Sequence, residues 1–279
     1  HNRSIRMYKI TGLIDNYTSH YECFAEHGLS YYIETPDTTI LFDTGSTSNI
    51  INNADKLNLS LSKIDYLLLS HGHYDHCGGI KEVLKKKSPL KIIAHPDIFV
   101  ERYSKHDDGM VKISNPFTKE ELEETGAQFN LTKESYKFND NLFTTGEVKR
   151  THKSCAPNMQ KVIDNKYIKD TVLDDLSLII TDSEQINIIC GCSHSGILNI
   201  VEQAINLTGL NTINYIIGGL HFYNMDENEL KDTLYELNNY DIRNIAISHC
   251  TGINTLSIIS DNMASNISYF GISDTIVIQ

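Results

Sequence analysis

This 279-residue chain is short of cysteine, short of positive charge and without a long apolar run, and each shortage excludes something. Six cysteines spread over such a length do not make the disulfide framework of a small secreted domain. With 24 Lys+Arg against 36 Asp+Glu, the formal net charge is -12. Nucleic-acid binding driven by phosphate neutralisation needs surplus cations, so it is not expected. No apolar stretch approaches the roughly 20 residues of a membrane helix, and the opening His1-Asn2-Arg3-Ser4-Ile5-Arg6-Met7 lacks the apolar core of a signal peptide. The expectation is a cytoplasmic protein with reduced thiols and no membrane association. Residues 1–6 read as a tag remnant, with Met7 the natural start. Strict repeats, low-complexity tracts and Pro/Gly/Ser-rich linkers are missing too. One α/β domain over residues 7–279 is therefore expected, and at 40% hydrophobic it has the means to bury a core.

Short β-branched runs alternate with amphipathic stretches. Strands are expected at Met7–Leu13, Leu29–Glu34, Thr39–Phe42, Ile64–Leu69 and Lys91–Ala94. Helices are expected over Ser48–Leu57 and from Ile80, where Ile80, Val83 and Leu84 share a face. The stretch 103–140 is charged and weakly periodic, and reads as an insertion or lid on a compact scaffold. Its run Lys119-Glu120-Glu121-Leu122-Glu123-Glu124 reads as a solvated helix face. The last third repeats one grammar three times: apolar strand, polar loop with a histidine, amphipathic helix. The strands are Ile186–Cys190, Ile213–Ile217 and Ile245–Ile247, and the histidines are His194, His221 and His249. Loops that follow strands are where layered α/β folds usually build sites.

The densest chemistry lies in Ser70-His71-Gly72-His73-Tyr74-Asp75-His76-Cys77-Gly78-Gly79. Imidazole nitrogens and carboxylate oxygens are the ordinary ligands of zinc and related divalent ions. In an extended segment His71 and His73 project to one side and can share an ion. A turn into a helix then lets Asp75 and His76 face a second. The two glycines permit close backbone approach.

His71-Gly72-His73-Tyr74-Asp75-His76 resembles the HxHxDH signature of the metallo-β-lactamase superfamily. Leu41-Phe42-Asp43-Thr44-Gly45 and Ile64–Ser70 resemble its acidic lead-in and pre-motif strand. Ala94-His95-Pro96-Asp97, Cys190-Gly191-Cys192-Ser193-His194-Ser195-Gly196, Gly218-Gly219-Leu220-His221-Phe222 and Ser248-His249-Cys250-Thr251-Gly252 resemble one subgroup of that superfamily. The subgroup includes an archaeal dihydropterin–ribofuranosylaminobenzene phosphate synthase and bacterial metallo-hydrolases. The resemblance covers most of Met7–Gly252, with the middle stretch matching least. It implies an αββα sandwich with a binuclear metal site. His71 and His73, with His194, would hold one ion; Asp75 and His76, with His249, the other. Ligands at 71–76, 194 and 249 would then have to converge in one cleft, as a single domain requires.

The usual bridging aspartate is replaced by Cys192, which either supplies a thiolate or is a small buried residue. Asp43 would orient a ligand imidazole or the His71 loop. His221 reads as a substrate contact or acid/base, with ligation the alternative, and Asp75 as the second catalytic group. His95 reads either as a structural hydrogen-bonding residue or as pocket lining. His152, in Lys149-Arg150-Thr151-His152-Lys153, belongs to a solvated loop or an anion site, while His20, His27 and His106 read as surface or packing residues. Cys77 and Cys250 each follow a candidate ligand histidine, and burial is the simpler account of both. Two divalent ions are implied, zinc first, with iron, manganese, nickel or magnesium also compatible. They would bridge a water, lower its pKa and offset charge on an attacked oxygen, and would make the site locally positive despite the acidic chain.

The expected function is a metal-dependent hydrolase acting on a small anionic, phosphorylated or ester-type substrate. The alternative enzyme is a transferase condensing a dihydropterin methyl diphosphate with a ribofuranosylaminobenzene phosphate. A non-catalytic metal-dependent sensor or binding module is a third reading, disfavoured by the intact ligand set. Oligomeric state stays open.

Overall fold

A computed structural model describes residues 7–279; the expected tag remnant at residues 1–6 lies outside them. The described chain forms two compact units. One takes the N-terminal residues to Ala94, then Asn115–Leu131 and Gly271–Gln279; the other takes His95–Ser114 and Thr132–Phe270.

The first unit is built on a seven-stranded mixed sheet. Its strands run from Thr275–Ile278 at one edge through Tyr8–Ile14, Ser30–Glu34, Thr39–Phe42, Tyr66–Leu68 and Leu90–Ala94 to Ala127–Leu131. The pairing is antiparallel as far as Thr39–Phe42 and parallel beyond it. That change follows from the connections. The short turn at 35–38 joins Ser30–Glu34 to its antiparallel neighbour Thr39–Phe42, whereas helices Asn49–Lys56 and Ile80–Lys86 lie in the crossovers to the parallel strands Tyr66–Leu68 and Leu90–Ala94. Ile50, Asn53 and Ala54 are buried on the first helix, and Ile80, Val83 and Leu84 on the second. Asn53 is a polar residue in that core. It is satisfied there, because its amide donates to the carbonyls of Leu13 and Phe24.

The second unit has a seven-stranded sheet in the order Asn266–Tyr269, Asp241–Ile247, Thr212–Gly218, Gln185–Cys190, Ser177–Thr181, Leu142–Thr144, Lys137–Asn139. The first four of these strands are mutually parallel. Their near-continuous isoleucine runs suit strands buried on both faces. Ile186, Ile188, Ile213, Ile216, Ile245 and Ile247 pack with Ile200, Val201 and Ala204 of helix Ile197–Thr208 and with Leu230, Leu234 and Leu237 of helix Glu227–Leu237. Burying each of these Ile, Val and Leu side chains is worth about 1.5–3 kcal/mol. A four-stranded antiparallel sheet, Lys166–Lys169, Met159–Ile163, Arg102–His106 and Gly109–Lys112, completes this unit.

The stretch 103–140 is more regular than its weak periodicity suggested. Arg102–His106 and Gly109–Lys112 make a hairpin, Lys119–Glu124 is a helix with a Thr118/Glu121 capping box, and Ala127–Leu131 extends the first sheet. Short, polar, partly exposed strands carry little of the alternation from which strands are read. Among the described residues no helix is long and apolar enough to cross a membrane.

Candidate metal centre

In the first unit, strand Tyr66–Leu68 leads into Ser70–His73, followed by the single helical turn Tyr74–Cys77. His71, His73, Asp75 and His76 are all buried. Buried imidazoles need defined partners, and Asp43 organises them. It directly follows strand Thr39–Phe42 with φ 56°, a left-handed conformation that Asp tolerates better than most residues. Its Oδ1 accepts from the Ser70 amide at 2.7 Å, and its Oδ2 accepts from Ser70 Oγ and His76 Nδ1, each at 2.6 Å. The Ser70 hydroxyl proton is thereby committed to Asp43. Ser70 Oγ can then only accept from His71 Nδ1, 2.9 Å away. His71 and His76 therefore carry their protons on Nδ1 and a lone pair on Nε2, the form that ligates a cation.

His71 Nε2 lies 3.0 Å from His73 Nδ1, and His76 Nε2 lies 3.6 Å from Asp75 Oδ2. Two nitrogens bound at about 2.0–2.1 Å to one ion, at right to tetrahedral angles, stand about 2.9–3.4 Å apart. The donor chemistry and spacing fit divalent cations. Gly78 and Gly79 seal the turn against the Thr44 loop: a Cβ at Gly78 would fall 2.1 Å from Ser46 O, and one at Gly79 2.3 Å from Thr44 O. His27, read from sequence as a surface or packing residue, places Nε2 3.3 Å from Asp75 Oδ2. Nothing in its local sequence signals that role.

In the second unit, His194, His221 and His249 stand in the loops after Gln185–Cys190, Thr212–Gly218 and Asp241–Ile247. Ser193 (φ 56°), His221 (φ 55°) and His249 (φ 46°) all adopt the left-handed conformation. Such backbone costs energy for residues with a Cβ and tends to gather at functional sites. His194 Nδ1 donates to the Cys155 carbonyl at 2.8 Å, which again leaves the lone pair on Nε2. The turn carrying His194 is held by buried Asp175, which accepts from Ser195 N at 2.8 Å and Ser195 Oγ at 2.5 Å. Burial pushes the Asp175 carboxyl above the usual range, although the Ser195 bonds oppose it. Sequence reading missed Asp175, because a carboxylate ahead of a strand is ordinary.

The His221 ring lies 4.4 Å from that of His194. Burial, and then the neighbouring His194, holds the His221 imidazole below the ordinary histidine value. Its Nδ1 is buried and meets no hydrogen-bond partner among the described residues. Cys192 and Cys250 are buried in the same loops.

The other histidines have structural settings. His95 caps the turn Pro96–Phe99, accepting from the Asp97 amide, and its Nε2 pairs with Glu147 at 2.9 Å. His152 pairs with Glu202 at 2.9 Å and Lys153 with Glu229 at 2.6 Å, so acidic partners already answer this basic run. His20 stacks on Tyr21, and His106 is exposed on an edge hairpin.

The sequence profile of the metallo-beta-lactamase superfamily matches residues 24–152. The 7,8-dihydropterin-6-methyl-4-(beta-D-ribofuranosyl)-aminobenzene-5'-phosphate synthase of Methanocaldococcus jannaschii is 30% identical over 257 residues, 88% of this chain and 87% of that protein. A second, uncharacterized protein of the same organism is 34% identical over 249 residues, 89% of this chain and 92% of its own. Among solved structures, Tm1679, described as a metal-dependent hydrolase of the beta-lactamase superfamily, superposes with a TM-score of 0.82 at 23% identity, covering 96% of this chain and 98% of its own. That likeness shows the fold. Relatives at this identity align along nearly the full length of both chains, and the chain belongs to the metallo-beta-lactamase superfamily.

Proposed function

We propose that this protein is a metal-dependent hydrolase acting on a small anionic substrate, a phosphate or carboxylate ester. In this reading His71, His73, Asp75, His76, His194 and His249 hold two divalent cations, with zinc preferred. The observation that carries it is the proton placement: His71, His76 and His194 each have Nδ1 tied to a neighbour, which presents Nε2 as a ligand. When bound, such cations supply Lewis-acid polarisation and bring the pKa of water toward neutrality.

The chain's own groups do the rest. Asp43 fixes the His76 ring and the Ser70 backbone together, so ligand geometry is set before substrate arrives. His221, whose imidazole burial holds below the ordinary histidine value, is in this reading the substrate contact or acid/base group. Asp75, in contact with His27, is the second carboxylate in reach of proton traffic.

A second reading is favoured by the 30% identity to the archaeal synthase along 88% of the chain. Here the protein is a transferase that condenses a dihydropterin methyl diphosphate with a ribofuranosylaminobenzene phosphate, with diphosphate leaving. Elemental analysis of the purified protein, followed by parallel assays on a phosphate- and carboxylate-ester panel and on the two condensation partners, separates the readings. Hydrolysis without condensation supports the first, and condensation supports the second. A His73→Ala variant that kept both its metal content and its turnover would overturn the ligand assignment behind both.

A further inference from the structure

Three neighbouring parallel strands of the second sheet set Cys192, His221 and Cys250 side by side, each in the loop that follows its strand. One donor atom from each residue lies within 4.8 Å of the other two. Both cysteines are buried, and neither is in a disulfide. Gly219 shapes the place. A Cβ there would fall 2.6 Å from Cys250 Sγ and 2.5 Å from Gly191 O, so only glycine at 219 lets the Cys250 sulfur occupy this turn. Cys250 Sγ also lies 3.7 Å from the Cys192 carbonyl, which brings the two loops together at their sulfur-bearing residues. The buried Nδ1 of His221, without a hydrogen-bond partner among the described residues, adds a nitrogen donor.

The geometry points to a thiophilic cation site made by Cys192 Sγ, Cys250 Sγ and a ring nitrogen of His221, which takes a soft divalent ion of the zinc and cadmium class. Two sulfurs and one imidazole select such ions over magnesium or manganese, which favour oxygen ligands. The chemistry balances without an oxidant. Each thiol loses its proton as its sulfur bonds the cation, so one divalent ion bound releases two protons to solvent. All three donors come from the second unit, and the assignment does not rest on the hydrolase reading.

Titration of the reduced, metal-free full-length chain with cadmium tests it. A thiolate-to-cadmium charge-transfer band is expected, with the intensity of one ion held by two thiolates per chain. Cys192→Ser and Cys250→Ser should each remove about half of the band, since each supplies one of two sulfur ligands. Because a serine variant can fail to fold, cadmium X-ray absorption on the unaltered chain is the second measurement, with two sulfur scatterers per ion expected. A variant with His71, His73 and His76 all changed to Ala should keep the band while losing the cations of the histidine cluster. Four results would each overturn the site: no band in the unaltered chain, a band unchanged in both serine variants, a nitrogen-and-oxygen-only shell, or loss of the band in the triple histidine variant.

Discussion

Asp43→Asn isolates how the protein prepares its histidine cluster. Asn is nearly isosteric with Asp and tolerates the φ of 56° at this position, so the backbone has no reason to move. The hydrogen bonds, however, cannot all be remade. Asp43 Oδ1 accepts from the Ser70 amide, and Oδ2 from Ser70 Oγ and His76 Nδ1. An Asn amide placed at the Oδ2 position would set its NH2 against the His76 Nδ1 proton. The imidazole would then have to move that proton to Nε2, which cannot ligate while protonated. With the amide turned over, the NH2 faces the Ser70 N–H instead, and Ser70 Oγ and His76 share one neutral oxygen.

Either orientation loses at least one charge-assisted bond, worth about 1.5–3 kcal/mol. The chain still folds, since typical native stability is about 5–15 kcal/mol. Metal affinity should fall about 10- to 100-fold, as for other residues that orient ligand histidines. Competition against a chromophoric chelator measures the affinity, and circular dichroism confirms the fold. A folded Asp43→Asn protein with unchanged metal affinity would refute the claim that Asp43 sets the His76 proton.

Three further outcomes follow from the packing. Arg102 is buried and binds Asp170 Oδ2 through Nε at 2.7 Å and both oxygens of Asp174 through Nη1 and Nη2 at 2.9 and 2.6 Å. Arg102→Ala leaves two buried carboxylates without their cation and should cost about 3–5 kcal/mol in urea denaturation; a loss under about 1 kcal/mol would contradict it. Gly78→Ala puts a Cβ 2.1 Å from the Ser46 carbonyl, a backbone atom that cannot swing aside. Metal content per chain should drop because the turn holding Asp75 and His76 must shift, and full metal loading in the variant would count against this. His95, and then Lys133, hold Glu147 below the ordinary carboxylate value. A depressed carboxylate adds stability above its unfolded pKa and loses it as pH falls through the folded one. The melting-temperature gap between the native chain and Glu147→Gln should therefore be widest near neutrality and close in acid; a gap that widens in acid would reverse the assignment.

Much of this fold was legible because the buried strands write themselves in the sequence. Thr39–Phe42 is found where it was expected, Ile186–Cys190 begins one residue earlier at Gln185, Ile213–Ile217 gains one residue at each end, and Ile245–Ile247 extends back to Asp241. Each combines an apolar run with a polar loop at its C-terminal end, so burial and termination agree locally. The hairpin Arg102–His106/Gly109–Lys112 and the strand Lys166–Lys169 were not legible, since exposed strands are held by backbone pairing that leaves no side-chain pattern.

The candidate site divides along the same line. Histidines crowded within six residues announce a cation, and Asp43 was found through its motif. Asp175 and the Cys155 carbonyl fix His194 from 19 to 39 residues away, and a backbone oxygen has no identity in a sequence. The left-handed φ at Asp43, Ser193, His221 and His249 was equally invisible, yet it accounts for where these side chains point. Four residues with a Cβ hold a conformation that glycine would adopt at less cost, so their side chains must be required at those positions. A glycine at Asp43 or His249 would relax the backbone and remove the Asp43 carboxylate or the His249 imidazole at the same time. Substitution there should therefore lower metal affinity even where it leaves folding stability level or raised.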